Sequence, residues 1–218
     1  MATHLDLEEQ EQLDEIKHFW KQYGSAISWI LISLLAAFAA WNGYQYWQKN
    51  QAVQAAAMLD EVEKSIRTGD VPKIQRAFSE MQERFASTTY AQQAGVLVAK
   101  ALFETGQIDG AKSALAWVSE KSNDVGYASL AKLRMTSVLI EAKSFDEALS
   151  VLSGLSDPAF DALVADRRGD ILAAQGKKLE AKLEYLKAYK KFDEKSEYRR
   201  LVEVKLNSLG ASVPGEGT

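Results

Sequence analysis

From Gln22 to Gln48 the chain carries no charged residue. Within that run Ala26–Trp41 reads A-I-S-W-I-L-I-S-L-L-A-A-F-A-A-W, which is almost wholly apolar. As an α-helix, Gly24–Trp47 would be roughly 36 Å long, enough to cross the ~30 Å hydrocarbon core of a bilayer. Ser28 and Ser33 can return their hydroxyls to carbonyls of the preceding turn, so they do not break the pattern. Four of the five tryptophans, Trp20, Trp29, Trp41 and Trp47, fall in or beside the run, with Tyr23, Tyr44 and Tyr46. Most of these rings gather at its two ends, where amphipathic rings settle at headgroup level. A buried core helix rarely carries such ends. A cleavable signal peptide is the stronger rival, because Ala37-Phe38-Ala39 has the small-x-small form of a cleavage site. The preceding segment is more acidic than basic, however, and bulky Trp41, Tyr44 and Tyr46 follow at once. An uncleaved membrane anchor over residues 23–47 is therefore expected.

Residues 1–22 form an acidic tail. Asp6, Glu8, Glu9, Glu11, Asp14 and Glu15 stand there against Lys17 and Lys21, so the tail accounts for the whole net charge of −4. The rest of the chain is balanced, with 24 acids and 24 bases. Nucleic-acid binding needs a basic surplus to displace counterions, and none is present. Lys17 and Lys21 precede the apolar run, whereas Lys49 stands alone after it until Lys64. Positive residues favour the inner side, so the tail is expected in the cytoplasm and the larger C-terminal part on the exported side. The chain has no cysteine, which excludes a disulfide framework, Cys-ligated zinc and a Cys nucleophile.

Beyond Lys49 the sequence is rich in Ala, Leu, Glu, Lys and Gln, good helix formers, and period-2 strand patterns are scarce. A pattern recurs. Gly106–Ala111 leads to Leu115 and Val118, and Lys143–Ala148 leads to Leu152 and Leu155. Gly176–Ala181 leads to Tyr185 and Ala188, and a weaker copy, Gly69–Ile74, leads to Phe78 and Met81. The marker positions Ile74, Ala111, Ala148 and Ala181 are spaced by 37, 37 and 33 residues. Leu102, Leu139 and Leu172 stand nine residues before the last three markers, and compact Ala99, Thr136 and Gly169 stand twelve before. This is helix–turn–helix repetition near the tetratricopeptide period. A small residue lets two helices approach, and apolar residues four and seven later keep one face toward the neighbour. An ordinary helical bundle is the plainer alternative. The predicted fold is all-α: one transmembrane helix, then a solenoid of degenerate tetratricopeptide-like hairpins over residues 48–209 and a flexible tail over 210–218. The helix Glu197–Leu209 is predicted to cap the array through a stripe of Tyr198, Leu201, Val202, Leu206 and Leu209. Gln48–Ile66 lacks a breaker, so the anchor is expected to run directly into the first repeat helix.

Nothing in the chain demands catalysis. No G-x-S-x-G, phosphate-binding glycine loop or H-E-x-x-H is present. No catalytic, cofactor or metal residue is assigned and no cofactor is expected. Both histidines, His4 and His18, fall near the N-terminus. Glu8–Glu15 reads as a solvated helix face. Asp166 and Asp170 with Arg167 and Arg168 offer ion pairs along one helix. Lys187, Lys190, Lys191, Lys195, Arg199 and Arg200 alternate with Glu184, Asp193, Glu194 and Glu197 as a mixed surface.

Three stretches carry a family resemblance: Glu11–Gly24 (E-Q-L-D-E-I-K-H-F-W-K-Q-Y-G), Ala162–Asp170 (A-L-V-A-D-R-R-G-D) and Val204–Leu209 (V-K-L-N-S-L). With one span and a degenerate repeat domain, the chain resembles the ancillary subunit of the bacterial Sec translocon, the YfgM family. The resemblance implies an inner-membrane protein with its repeat domain in the periplasm. It further implies association with the translocon channel and with a membrane-anchored periplasmic chaperone of the prolyl-isomerase-like type, and a part in handing over exported client proteins. It offers no catalytic residues. The rival expectations are a scaffold in another envelope machine and a regulator acting through its cytoplasmic tail.

Overall fold

The computed structural model describes residues 7–211, and every described element is helical. The expected positions His4 and Asp6, and the C-terminal tail from residue 212 onward, lie outside the described residues. Helix α1 runs from Leu7 to Thr68. There follow α2 (Val71–Phe85), α3 (Thr89–Glu104), α4 (Ile108–Lys121), α5 (Val125–Glu141) and α6 (Phe145–Ser153). A short 3-10 turn, Pro158–Phe160, leads into α7 (Asp161–Ala174), α8 (Lys178–Lys191) and α9 (Glu197–Ser208). The chain divides into two compact units, one ending at Gln51 and the other beginning at Ala52.

In the first unit α1 contains the uncharged run, and it is long and apolar enough to cross a membrane. Trp29, Ile30, Leu31, Leu34, Leu35, Phe38 and Trp41 are all exposed. That decides against a buried core helix, whose apolar side chains would be covered by protein. The end rings cluster as expected. Phe19 and Tyr23 lie with centroids 5.1 Å apart, and Tyr44 and Trp47 6.1 Å apart. The Trp20 ring covers Gly24, which is buried beneath it. His18 is exposed on the same helix.

In the second unit, successive helices pack as hairpins: α3 on α4, α5 on α6, α7 on α8, with α3 beside α5 and α5 beside α7. All four marker residues, Ile74, Ala111, Ala148 and Ala181, are fully buried. Because Ala111, Ala148 and Ala181 are wholly covered on the second helices of their hairpins, a larger side chain there would have to displace packed neighbours. Their followers Phe78, Met81, Leu115, Val118, Leu152, Tyr185 and Ala188 are buried as well, whereas Leu155, beyond the end of α6, is only partly covered. Leu102 and Leu139 are buried, whereas Leu172 is only partly covered. The hydrophobic interior is continuous from Ala55, Leu59 and Val62 at the end of α1 to α5. Further clusters join α5 to α7 and α7 to α9.

The predicted stripe on α9 divides. Val202 and Leu206 are buried and Leu209 packs beside them, but Tyr198 and Leu201 are exposed. Val202, Leu206 and Leu209 form a narrower i, i+4, i+7 face, and the first two members of the predicted stripe fall off its edge. Gly210, with φ of 72°, closes the helix, and Ala211 is buried behind it.

Each repeat turn places one residue in the left-handed region, five positions before its marker. Three are glycines, Gly69, Gly106 and Gly176, with φ of 68°, 77° and 77°. The fourth is Lys143, with φ of 58°, where a Cβ opposes the following carbonyl. Its turn otherwise matches those at Gly106 and Gly176: the amide of Ser144 donates to the Leu139 carbonyl, as Gln107 does to Leu102 and Lys177 to Leu172. Lys143→Gly is therefore expected to stabilise the domain by about 1 kcal/mol. A rise in the urea midpoint with an unchanged slope is the readout; a fall would show that the lysine side chain contributes more than its backbone costs.

Candidate functional site

The first helices of neighbouring hairpins, α3 and α5, lie side by side with α4 behind them. Between them a notch of about 140 Å³ is lined by Ala99, Phe103, Leu115 and Val138, with Lys100, Arg134 and Ser137 also in its wall. The floor is apolar because Ala99, Leu115 and Val138 are all buried there. The rim is cationic. Lys100 leans toward Glu104 on its own helix at 3.7 Å, a loose exposed pair of small energetic weight. Arg134 is exposed and makes no hydrogen bond or ion pair among the described residues. Its five donors are therefore available to a carboxylate. A second hollow, of about 360 Å³, continues the surface toward the end of α1, lined by Glu63, Ile66, Arg67, Leu97, Lys100, Ala101 and Glu104. The arrangement suits an apolar side chain of a polypeptide with a carboxylate close by. It holds no nucleophile–base pair and no group of ligands for a metal among the described residues.

A second constellation holds the far end of the domain. Lys205 on α9 donates to Asp166 Oδ1 and to Asp170 Oδ1 on α7, both at 2.7 Å. Arg167 donates to Asp170 Oδ2 at 2.7 Å, and the Tyr185 hydroxyl of α8 donates to Asp170 Oδ1 at 2.8 Å. Three helices are thus joined through two carboxylates. Asp166 is buried, and that burial, with the Asp170 charge beside it, raises its carboxyl above the ordinary value of 3.8 although Lys205 pulls the other way. Burial likewise pushes the Tyr185 hydroxyl well above its usual range, with the Asp170 charge adding to the effect. Room for the Tyr185 ring comes from Gly169: a Cβ there would stand 2.5 Å from two ring carbons.

The expected pairing among Asp166, Arg167, Arg168 and Asp170 is only partly found. Arg167 pairs with Asp170 three residues on, but Arg168 makes no ion pair among the described residues. The partner that matters, Lys205, stands 39 residues after Asp166. The mixed surface behaves as read, with Lys187 on Glu184, Lys191 on Asp161 and Arg199 near Glu194. The notch residues Phe103, Arg134 and Ser137 were not singled out from the sequence. Repeat phase does place them on first helices, but no local pattern marks which of them border a gap.

Residues 17–211 match the model of the tetratricopeptide repeat-like domain family. The chain is also 33% identical over 213 residues to an ancillary SecYEG translocon subunit of Neisseria gonorrhoeae, covering 96% of this chain and 100% of that protein. The chain belongs to this family of ancillary translocon subunits. The matched residues take in both the apolar run of α1 and the helical-hairpin domain. It also gives a setting to the two C-terminal stretches that carried the resemblance. Ala162–Asp170 and Val204–Leu209 are the strands of sequence that supply Asp166, Asp170 and Lys205, so the stretches that looked familiar are those that close the domain.

Proposed function

We propose that this protein is a single-pass inner-membrane interaction subunit of the Sec translocon. In this reading residues 1–22 are a cytoplasmic tail, 23–47 span the bilayer, and 48–209 form a solenoid of repeats in the periplasm. The domain engages the channel and a membrane-anchored, prolyl-isomerase-like chaperone, and assists the hand-over of exported proteins. It works by binding and not by catalysis. The observation that carries the proposal is one chain-length match to an ancillary SecYEG subunit, joined to an exposed helix whose uncharged run is long and apolar enough to cross a membrane.

Anchoring would confine the repeat domain near the channel exit and raise its effective concentration there. The groove of α3 and α5 is the proposed docking site, with Phe103 and Arg134 as the contacts of greatest weight. Purification of the full chain from membranes in mild detergent is expected to bring down channel subunits and a periplasmic chaperone. Arg134→Glu should reduce capture of one of these roughly tenfold without shifting the unfolding midpoint. Absence of both partners from the wild-type purification would defeat the translocon reading. Protease added outside spheroplasts should remove the repeat domain; full protection would reverse the proposed topology.

A further inference from the structure

Helix α8 departs from the rule its own repeats keep. Residues two before, two after and five after each marker lie on the side of the second helix that faces away from the core. In α4 these are Asp109, Ser113 and Ala116, and in α6 they are Asp146, Ser150 and Ser153. In α8 they are Leu179, Leu183 and Leu186. Leu179 is 81% exposed and Leu183 61%. Leu186, at the edge of this face, is half-buried against the α7–α9 core and borders a surface cleft with Leu183 and with Leu172 of α7. Apolar residues at intervals of four and three on an otherwise polar outer face form the stripe by which one helix meets another.

The flanking charges single out the partner. Glu180 and Lys187 stand on one side of the stripe, Lys182 and Tyr189 on the other, and Lys190 continues it one turn on. Laid antiparallel against a second copy, Leu183 faces the partner's Leu186. Glu180 then meets the partner's Lys187, and Lys182 comes beside the edge of the partner's Tyr189, whose ring face is taken by Arg199 of its own chain. Two-fold symmetry makes each of these contacts twice. A parallel pairing would set Lys182 against the partner's Lys187, two like charges. Glu180 and Lys182 have no ion pair among the described residues, and Lys187 holds only an exposed pair with Glu184 on its own helix. An acidic helix from another protein fits less well, because Glu180 and Glu184 line the cleft. We infer that α8 is a self-association surface, through which two copies of this chain pair antiparallel on Leu179, Leu183 and Leu186.

The absence of native cysteine makes the register directly testable. Two differently tagged full-length chains, one Leu183→Cys and one Leu186→Cys, are mixed in mild detergent and oxidised. The expected result is a disulfide-linked pair of the two tags, several-fold above either chain alone. Glu180→Lys in both chains should lower the yield several-fold, and adding Lys187→Glu should restore it. The cysteine-free wild-type chain should sediment as a dimer, and Leu183→Asp as a monomer. A monomeric wild-type chain would overturn the proposal. So would equal linking of like-tagged chains, which signals a parallel pair, or linkage of Leu183→Cys in cells only to a different protein.

Discussion

Lys205→Met is expected to destabilise the repeat domain by about 3 kcal/mol at pH 7.5, the low end for breaking a buried pair because Lys205 itself is 22% exposed. The methylene stem keeps its packing in the methionine, so the loss is that of the cation. Asp166 then sits buried with Arg167 at 3.7 Å as its nearest cation, and Asp170 keeps only Arg167 and the Tyr185 hydroxyl. The sign of the pH dependence follows from the direction of the Asp166 shift. Its carboxyl is raised in the folded state, so between the ordinary value of 3.8 and the raised one the folded chain holds more protons than the unfolded. Acidification therefore favours folding through this group, and its charge costs stability above the raised value. Without Lys205 that cost grows, so the deficit of the variant should be largest near neutrality and shrink as the pH is lowered toward the ordinary aspartate range. Asp166→Asn added to Lys205→Met should recover part of it at pH 7.5. Urea unfolding followed by circular dichroism on the full chain at several pH values is the measurement. A deficit independent of pH would mean that Lys205 acts by packing alone.

The second large effect is expected at Gly169. Gly169→Val would place side-chain carbon inside the Tyr185 ring, since even a Cβ would lie 2.5 Å from it. The ring is held between Ala181, Ala188 and α9 and has little room to yield, so α7 and α8 must move apart. A loss of about 3 kcal/mol is expected, from overpacking and from the broken bond between Tyr185 and Asp170. Tyr185→Leu in the same chain should return part of that loss by removing the ring edge. No recovery in the double variant would place the strain elsewhere. Gly95, one turn before Ala99, makes a similar close approach in the α3–α4 hairpin, where a Cβ would lie 2.4 Å from Val118, and gives an internal comparison.

These two predictions divide differently between sequence and structure. Gly169 was visible in the sequence as a compact residue at a repeat position shared with Ala99 and Thr136, because helix–helix contact imposes its spacing locally. Lys205 was not. Its carboxylates lie 35 and 39 residues earlier, and only the packing of α9 across α7 brings them within 2.7 Å. On α7 the sequence pointed to Arg168 as readily as to Arg167, since spacing along a helix ranks neighbours but does not say which side is covered.

The sequence by itself determined the uncharged run of Gln22–Gln48, the all-helical class, the phase of the repeats and the places of their turns. Each is governed by residues within one or two helical turns: a lack of charge, a small residue followed by apolar ones at fixed intervals, a backbone that must turn back. Only the tertiary structure decided that Tyr198 and Leu201 face solvent, that Leu179 and Leu183 stay uncovered among the described residues, that a notch opens between Phe103 and Arg134, and that one lysine holds two aspartates of another helix. Those outcomes depend on which helix lies against which. An amphipathic stripe is a local demand for burial, and the chain alone does not say what meets it.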